Sequence, residues 1–286
     1  MKKFLLPIAV LSMFFFASCG GGEDEGTEPE KTEEEIEMER KLSTVPEEER
    51  GLFIKHTGTM CYYCGTWGWY AMEKAVTDLK DEAVVIAAFG SHSFAKDFIS
   101  KYSTELDAYY SIAGYPTFTA NGTALSPKGT NVEPWTELST NIVTDARTEY
   151  LIAQDAGIKV SGAVKWSVAS NIATVDVRYR FFDDVSGDYY ATVWFDESGM
   201  EAPQSGYTKG IPAHHHALRA AATTSVFGEE IATGETAAET LVEKSYEVEF
   251  PEGMWNKDNV EASVVIFKKI GDKYIFVNGS KATFTE

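Results

Sequence analysis

The spacing of apolar residues changes once along the chain, near Thr148, and this change limits the folds that the chain can adopt. Before it, strand and helix patterns alternate, and residues 83–89 form a continuous apolar run that is typical of a strand buried on both faces of a sheet. After it, segments such as 173–181 alternate apolar and polar residues, which indicates antiparallel strands. We therefore predict an α/β domain at residues 51–148, followed by an all-β sandwich, Ig-like or jelly-roll-like, at residues 149–286.

The N-terminal residues are typical of an export signal. Two lysines precede an apolar run at residues 4–17, which is too short to span a bilayer comfortably. The run ends in small residues directly before Cys19, and this ending resembles the lipobox at which bacterial lipoproteins are cleaved and lipidated. We expect residues 1–18 to be a lipoprotein signal peptide and Cys19 to be the lipid attachment site. An ordinary secretory signal with a cysteine nearby is the alternative.

The chain is acidic, and many of its acidic residues lie in the segment that follows Cys19. Loss of residues 1–18 would leave 23 basic and 44 acidic residues, a formal charge of −21. Such a chain is not expected to bind nucleic acid or anionic lipid surfaces. Residues 19–50 have few apolar side chains, so we expect a flexible, solvated tether there. A transient helix is expected at residues 33–41, where Glu37 and Lys41 have the favourable i, i+4 spacing.

Cys61 and Cys64 are the cysteines that remain once Cys19 is lipidated, and they form a Cys-x-x-Cys pair. In an oxidising compartment such a pair persists as a disulfide. A zinc half-site is disfavoured because the sequence has no second pair. The pair falls between a predicted strand and a predicted helix, where free backbone N–H groups and the helix dipole lower the pKa of the first thiol. We expect Cys61 to be the nucleophile and Cys64 the buried resolving thiol.

A second motif follows at the expected place after this βαβα pattern. The sequence Ala113-Gly114-Tyr115-Pro116-Thr117-Phe118 resembles the loop of thioredoxin-like proteins in which a cis-proline packs beside the dithiol. The resemblance implies that Pro116 is the cis-proline, that Tyr115 lies over the cysteine pair, and that both residues bind an extended substrate peptide. A simple turn before a strand is the alternative explanation.

The residues around the cysteines depart from the thioredoxin-like pattern. Met60 replaces the usual Trp, and Tyr62 and Tyr63 replace Gly-Pro or Pro-His. Since these residues carry no positive charge, we expect nothing nearby except the helix end to activate Cys61. We interpret His56 as a solvated residue at the end of a strand.

The whole arrangement is similar to the family of outer membrane proteins named Omp28, for its twenty-eight-kilodalton founding member, over roughly residues 50–286. The motifs that carry the likeness are the lipobox, the acidic tether, the Thr-Gly-Thr-x-Cys-x-x-Cys turn, the triplet at residues 214–216 and the segment Phe227-Gly228-Glu229-Glu230-Ile231. The resemblance implies a lipid-anchored protein of the outer membrane that faces either the periplasm or the cell surface.

No metal site or cofactor is expected from the sequence. Adjacent histidines such as His214, His215 and His216 point to opposite faces of a strand, so the three cannot converge on one ion. We expect this triplet to be a polar segment of the β-rich half. Between residues 203 and 240, the sequence is too irregular for elements to be assigned.

Two functions remain open from the sequence. The first is a thiol–disulfide oxidoreductase whose partners are thiols or disulfides of envelope or extracellular proteins. The second is a surface-exposed binding or adhesion lipoprotein in which the Cys61–Cys64 disulfide is structural. A third hypothesis, a metal chaperone, requires His92 to lie near the cysteine pair.

Overall fold

A computed structural model describes residues 31–127, 133–154, 158–250 and 256–284. The predicted signal peptide, the lipid attachment residue Cys19 and the tether up to residue 30 lie outside these ranges. Among the helices that are described, none is both long enough and apolar enough to cross a membrane.

Helices lie mainly in the first half of the chain. The α-helices are α1 (Glu33–Ser43), α2 (Tyr62–Gly65), α3 (Trp67–Asp78), α4 (Lys101–Tyr109) and α5 (Thr136–Gln154). Short 3-10 helices occupy Lys96–Phe98 and Lys257–Asn259.

Strands dominate the second half. The strands before α5 are β1 (Gly51–Thr57), β2 (Ala83–Phe89), β3 (Thr117–Ala120) and β4 (Thr123–Ala124). The strands after α5 are β5 (Val160–Ala169), β6 (Ile172–Phe181), β7 (Val185–Ser186), β8 (Asp188–Glu197), β9 (Met200–Glu201), β10 (Ala213–His214), β11 (Ala217–Ala221), β12 (Glu229–Ala232), β13 (Glu235–Thr236), β14 (Leu241–Glu249), β15 (Val260–Ile270) and β16 (Lys273–Ser280). Four of these, β10 to β13, fall wholly in the region where the sequence allowed no assignment.

One mixed sheet runs through both halves of the chain. Its strand order is β16-β15-β8-β11-β2-β1-β3-β4, and β12 also pairs with β8. β1 and β2 are parallel, and β3 is antiparallel to β1. β11 pairs in parallel with β2 and antiparallel with β8, and so joins the two halves. The predicted boundary between residues 148 and 149 therefore does not separate two sheets, and α5 runs across it.

The central strands are buried on both faces, as the continuous apolar run of residues 83–89 predicts. In β1, Leu52 and Ile54 belong to a core that they share with residues of β5, β6, β8 and β15. Phe53 faces the other way and joins a second core with side chains of α3 and α5. Because neighbouring residues of a strand point to opposite faces, β1 and β2 hold the helical layer to one side and the β-rich half to the other.

The other main sheet has three strands, in the order β14-β6-β5. Apolar residues of β5 and β6 enter the same core as those of β8 and β15. The rings of Trp166 on β5 and Phe195 on β8 meet edge to face, with centroids 5.4 Å apart. The second half is therefore β-rich, as the period-two segments predict.

The segment from Thr32 to Arg50 differs from the flexible tether that we expected. α1 begins with a capping box in which Thr32 and Glu35 exchange hydrogen bonds between side chain and backbone. Glu37 pairs with Arg40 instead of Lys41, whose ammonium lies 2.7 Å from the Glu243 carboxylate on β14.

Apolar residues at the end of α1 explain this docking. Leu42 and Val45 are buried, and Val45 packs in a small cluster with Ala163 and Phe284. The Arg178 guanidinium also donates to the Thr44 hydroxyl at 3.1 Å. The acidic composition of this segment gives no indication of these few buried apolar residues, which hold the segment against β5 and β6.

Truncation of Val45 tests the docking. We expect Val45→Ala to lower the free energy of unfolding by about 1–3 kcal/mol, because a fully buried side chain leaves a cavity. Ile36→Ala is the control, since Ile36 lies on α1 in the same segment and is 55% exposed; its effect should stay within about 0.5 kcal/mol. Urea unfolding of both variants gives the comparison, and equally small effects would mean that the segment is a free tether.

Candidate functional site

Cys61 and Cys64 form a disulfide where β1 leads into α2. Cys61 caps the N-terminus of α2, and its sulfur accepts a hydrogen bond from the Cys64 backbone N–H at 3.1 Å. Cys61 is 7% exposed, whereas Cys64 is fully buried. The more accessible sulfur is therefore the one that the sequence predicts to be the nucleophile.

Pro116 lies beside this turn. The Tyr115–Pro116 peptide bond is cis, as predicted, and the Tyr115 carbonyl oxygen lies 3.3 Å from the Cys61 sulfur. The Pro116 ring packs on the first turn of α3, where a Cβ atom added to Gly68 would come within 2.7 Å of the ring. A disulfide sulfur carries no proton, so the Tyr115 carbonyl can accept a hydrogen bond from Cys61 only when the pair is reduced. The substrate-binding role of Tyr115 and Pro116 stays a prediction.

The side chain of Tyr115 takes part in a hydrogen-bond network with Asp107 and His56. Its hydroxyl donates to one oxygen of Asp107, whose other oxygen lies 2.7 Å from Nδ1 of His56. Burial and the hydrogen bond to Asp107 raise the pKa of Tyr115. Gly90 leaves room for this network, because a Cβ atom there would collide with both Tyr115 and Asp107. The backbone carbonyl of Tyr115 contacts the Cys61 sulfur.

His56 is also placed differently from the solvated position that we expected. It lies within β1 and is fully buried, and its Nε2 is 3.5 Å from the Thr119 hydroxyl. The interpretation was wrong because β1 continues to Thr57 and is covered on both faces. With both ring nitrogens occupied, His56 ties β1 to α4 and β3.

A segment from the second half of the chain closes over the cysteine turn. The Gln204 side-chain amide is buried and donates to the carbonyl oxygens of Gly58, Thr59 and Cys61, at 3.3, 3.3 and 3.0 Å. The Ser205 backbone N–H donates to the Thr59 carbonyl at 2.8 Å. One side chain thus contacts three backbone carbonyls of the cysteine turn, of which Gly58 also accepts the Cys61 N–H and Thr59 the Ser205 N–H.

Two glycines allow this close approach. A Cβ atom on Gly65 would collide with the Ser205 carbonyl, and one on Gly206 would collide with the Tyr62 carbonyl. Gly206 also has a φ of 82°, which L side chains rarely adopt. Sequence reasoning missed this segment, since Ser205-Gly206 by itself indicates no more than a turn.

Lys55 lies beneath the cysteines and was not identified from the sequence. It points inward from β1, is 4% exposed, and donates from Nζ to the Cys64 carbonyl at 3.3 Å. Its ammonium is 5.8 Å from the centroid of the Trp69 ring. Burial lowers the pKa of Lys55 to about 7, although the Glu73 charge acts in the opposite direction. An amine that changes charge near neutral pH therefore lies next to the Cys64 backbone, supplied by a residue outside the Cys-x-x-Cys motif.

The Lys55 side chain borders a cavity of about 450 Å³. Its lining comprises Lys55, Trp69, Met72, Glu73, Val76, Thr77, Ala87, Phe89, His214 and His215. Apolar and aromatic side chains form most of the wall, which explains the strong desolvation of the lysine.

A separate groove of about 500 Å³ gives access to Cys61 from outside. Residues 60–63 and 112–115 line it together with His92, so the histidine that the metal-chaperone hypothesis requires does lie at the same groove. Tyr62 and Tyr63 are 61% and 52% exposed at its rim. The groove thus combines one accessible sulfur with an aromatic surface.

The three adjacent histidines point to different surroundings, as the strand argument predicts. His214 is buried among Trp69, Phe89 and Phe98, and its Nε2 lies 3.1 Å from the Ala202 carbonyl. Burial lowers its pKa to about 4. His215 is exposed beside the Lys55 cavity, and Nδ1 of His216 lies 2.8 Å from Asp196.

Comparisons with known proteins add a family and a fold. The family model described as outer membrane protein Omp28 matches residues 103–281, a range that begins after the cysteine pair. HBP35 of Porphyromonas gingivalis has a similar fold, with a TM-score of 0.63 and 15% identity over 82% of this chain and 75% of that chain. A penta-heme cytochrome c552 from Thermochromatium tepidum gives a TM-score of 0.21 and 8% identity over 46% and 40% of the chains, which is too low to support an argument. A search of curated proteins finds no match.

Removal of the Gln204 amide tests its support of the cysteine turn. We expect Gln204→Leu to lower the free energy of unfolding by about 1–3 kcal/mol, since three backbone carbonyls next to the disulfide each lose a hydrogen bond. Ser205→Ala is the matched control, because Ser205 contacts the turn through its backbone. Urea unfolding and proteolysis between residues 58 and 65 provide the readouts, and equal stability of the two variants would contradict the assignment.

Replacement of Lys55 gives a pH-dependent prediction. The folded pKa is about 7 and the ordinary value is 10.5, so between these pH values the unfolded chain holds a proton that the folded chain has released. The burial penalty of wild-type Lys55 is therefore complete below pH 7 and is relieved as pH rises to 10.5. We expect Lys55→Met to unfold with a free energy higher by on the order of 2 kcal/mol at pH 6, and the gain to shrink towards pH 10.

Lys80→Met controls for the loss of a positive charge, since the Lys80 side chain is 70% exposed. Urea unfolding of the disulfide-intact proteins at pH 6, 8 and 10 is the measurement. A Lys55→Met variant that is less stable than wild type by a constant amount at all three pH values would contradict the buried-charge assignment.

Proposed function

The chain belongs to the Omp28 family of outer membrane proteins, and from this premise we propose that its Cys61–Cys64 pair exchanges disulfides with envelope or extracellular proteins. In this proposal a lipid on Cys19 anchors the protein to the outer membrane, and the folded part faces the periplasm or the cell surface. The family name supports the outer membrane, and the lipobox and acidic N-terminal residues support the anchor.

The strand order of the first half supports a thioredoxin-like arrangement followed by a β-sandwich. β2, β1, β3 and β4 are neighbours in that order, β1 and β2 are parallel, and β3 and β4 are antiparallel to their neighbours. α3 and α5 share a core with one face of these strands. The cysteine turn follows β1 and the cis-proline precedes β3, as the resemblance implies.

The observation that carries the proposal is the asymmetric setting of the two sulfurs. The Cys61 sulfur opens on the groove and accepts the Cys64 N–H, a hydrogen bond that also stabilises a thiolate when the pair is reduced. The Cys64 side chain is fully buried, and the Lys55 ammonium donates a hydrogen bond to the Cys64 backbone carbonyl. A positive charge in this apolar setting favours a thiolate on the resolving cysteine.

The positions of the two cysteines allow a thiol–disulfide exchange in two steps. The Cys61 thiolate attacks one sulfur of a client disulfide, forms a mixed disulfide, and releases the other client sulfur as a thiolate. The Cys64 thiolate then attacks the Cys61 sulfur, re-forms the internal disulfide, and releases the second client thiolate. Two electrons pass from the dithiol to the client. The same steps in reverse oxidise a client dithiol, and the midpoint potential determines the direction.

A binding or adhesion function is the second candidate, and a specific observation favours it. Tyr62 and Tyr63 are exposed at the groove and contact each other edge to face at 5.8 Å. Exposed tyrosines are enriched at protein interfaces because their rings combine apolar area with a hydroxyl. Cys61 itself is only slightly exposed, so the disulfide would act as a staple beneath a binding surface.

The midpoint potential of the Cys61–Cys64 couple separates the two functions. Equilibration of the unlipidated protein with glutathione buffers should give a value between about −270 and −120 mV if the pair exchanges with clients. A value below about −300 mV identifies a structural disulfide and supports the binding function. Trapping provides the second test, because Cys64→Ser leaves Cys61 without its resolving partner. We expect this variant to accumulate mixed disulfides with envelope proteins, and the Cys61→Ser control to accumulate none.

A further inference from the structure

Three side chains that the proposed function does not use lie close together near the pairing of β2 with β11. Asp196 lies near the end of β8, His216 directly precedes β11, and Glu261 lies at the start of β15. β8 pairs with both β11 and β15, and Glu261 lies directly opposite Asp196 in the register. One ligand atom of each side chain lies within 4.8 Å of the other two.

Asp196 is the residue that most clearly indicates a bound ion, because its carboxylate is buried and only one of its oxygens is hydrogen-bonded among the described residues. It is 1% exposed, and its Oδ1 lies 2.8 Å from Nδ1 of His216. Its second oxygen, Oδ2, is buried and has no hydrogen-bond partner among the described residues. Leaving one oxygen of a buried carboxylate unpaired is costly, so such an oxygen in a folded protein indicates a water molecule or an ion.

The charges at this position are consistent with a cation. The neighbouring Glu261 adds a second carboxylate to that of Asp196. Glu261 pairs with Lys281 at 2.7 Å; its side chain is half exposed, whereas that of Lys281 is 23% exposed, so this ion pair must loosen for Glu261 to reach an ion.

We propose that Asp196, His216 and Glu261 bind a divalent transition-metal ion, for which Zn²⁺ is the best fit. One imidazole nitrogen and two carboxylate oxygens suit Zn²⁺, whereas Ca²⁺ and Mg²⁺ take oxygen ligands. Zinc bonds of about 2.0–2.2 Å place ligand atoms about 3.3 Å apart. Asp196 and His216, now 2.8 Å apart, must separate slightly and exchange their hydrogen bond for the ion, while Glu261 draws closer. The exposed Glu261 provides that movement, and water fills the fourth position.

An ion at this position would stabilise the contact between the two halves of the main sheet. The carbonyl of His216 accepts the N–H of Ala87 at 2.7 Å, and Ala217 lies opposite Ala87 in the short pairing of β11 with β2. An ion held here would link β8, β11 and β15 at the point where the two halves of the sheet join. The site is separate from the cysteine groove, so it stands whether or not the pair is redox active.

The test is Zn²⁺ binding by the purified protein, with the disulfide kept oxidised so that thiolates cannot bind the ion. Titration against a chromogenic chelator should give one Zn²⁺ per chain, and Zn²⁺ should raise the thermal midpoint. His216→Gln and Glu261→Gln should each weaken the affinity at least tenfold and abolish the thermal shift. His215→Gln and Glu247→Gln are matched controls at an adjacent histidine and at an exposed glutamate, and they should bind as wild type does.

Glu261→Gln keeps the test decisive if His216→Gln fails to fold, because Glu261 is half exposed. Ca²⁺ is the comparison ion and should bind far more weakly than Zn²⁺. The proposal is overturned by the absence of stoichiometric Zn²⁺ binding, by unchanged affinity in Glu261→Gln, by an equal loss in His215→Gln, or by equal affinities for Ca²⁺ and Zn²⁺.

Discussion

The pairing of β11 with β2 is the contact on which the rest of the arrangement depends. It is short, with Ala217 opposite Ala87 and a backbone hydrogen bond from Ala87 to His216 beside it. Through it, strands of both halves become one sheet. The segment that leads into β11 thereby passes the cysteine turn, where the Gln204 side chain donates to its backbone carbonyls. The disulfide is therefore supported by residues that lie about 140 positions away along the chain.

The contact between the two halves of the chain also contributes to the low pKa of Lys55 beside the cysteines. His214 and His215, which belong to the β-rich half, supply part of the wall of the cavity beside Lys55. Enclosed there, the Lys55 ammonium loses water and retains the Cys64 carbonyl as a hydrogen-bond partner. A lysine in this position combines a low pKa with proximity to a buried sulfur, which is a combination found at functional sites more often than elsewhere.

Elements with strong local patterns could be predicted from the sequence. The apolar run at residues 83–89 became β2 with the same bounds, and the alternating segment at residues 173–181 lies within β6. The cis peptide bond before Pro116 was also expected, from a motif. Two expectations failed for a common reason: burial comes from distant residues. His56 is covered by α4 and β3, and the segment that follows α1 is held by β5 and β6.

The sequence by itself determined the Omp28 family resemblance, the alternation of strand and helix before residue 148, the β-rich second half and the identity of the cysteine pair. Each of these depends on local periodicity or on a short motif, and both are read along the chain. Only the tertiary structure decided that the two halves share a sheet, that Lys55 and Gln204 support the cysteine turn, and that His216 meets Asp196 and Glu261. These contacts depend on strand order and register, which arise from long-range packing that no local pattern encodes.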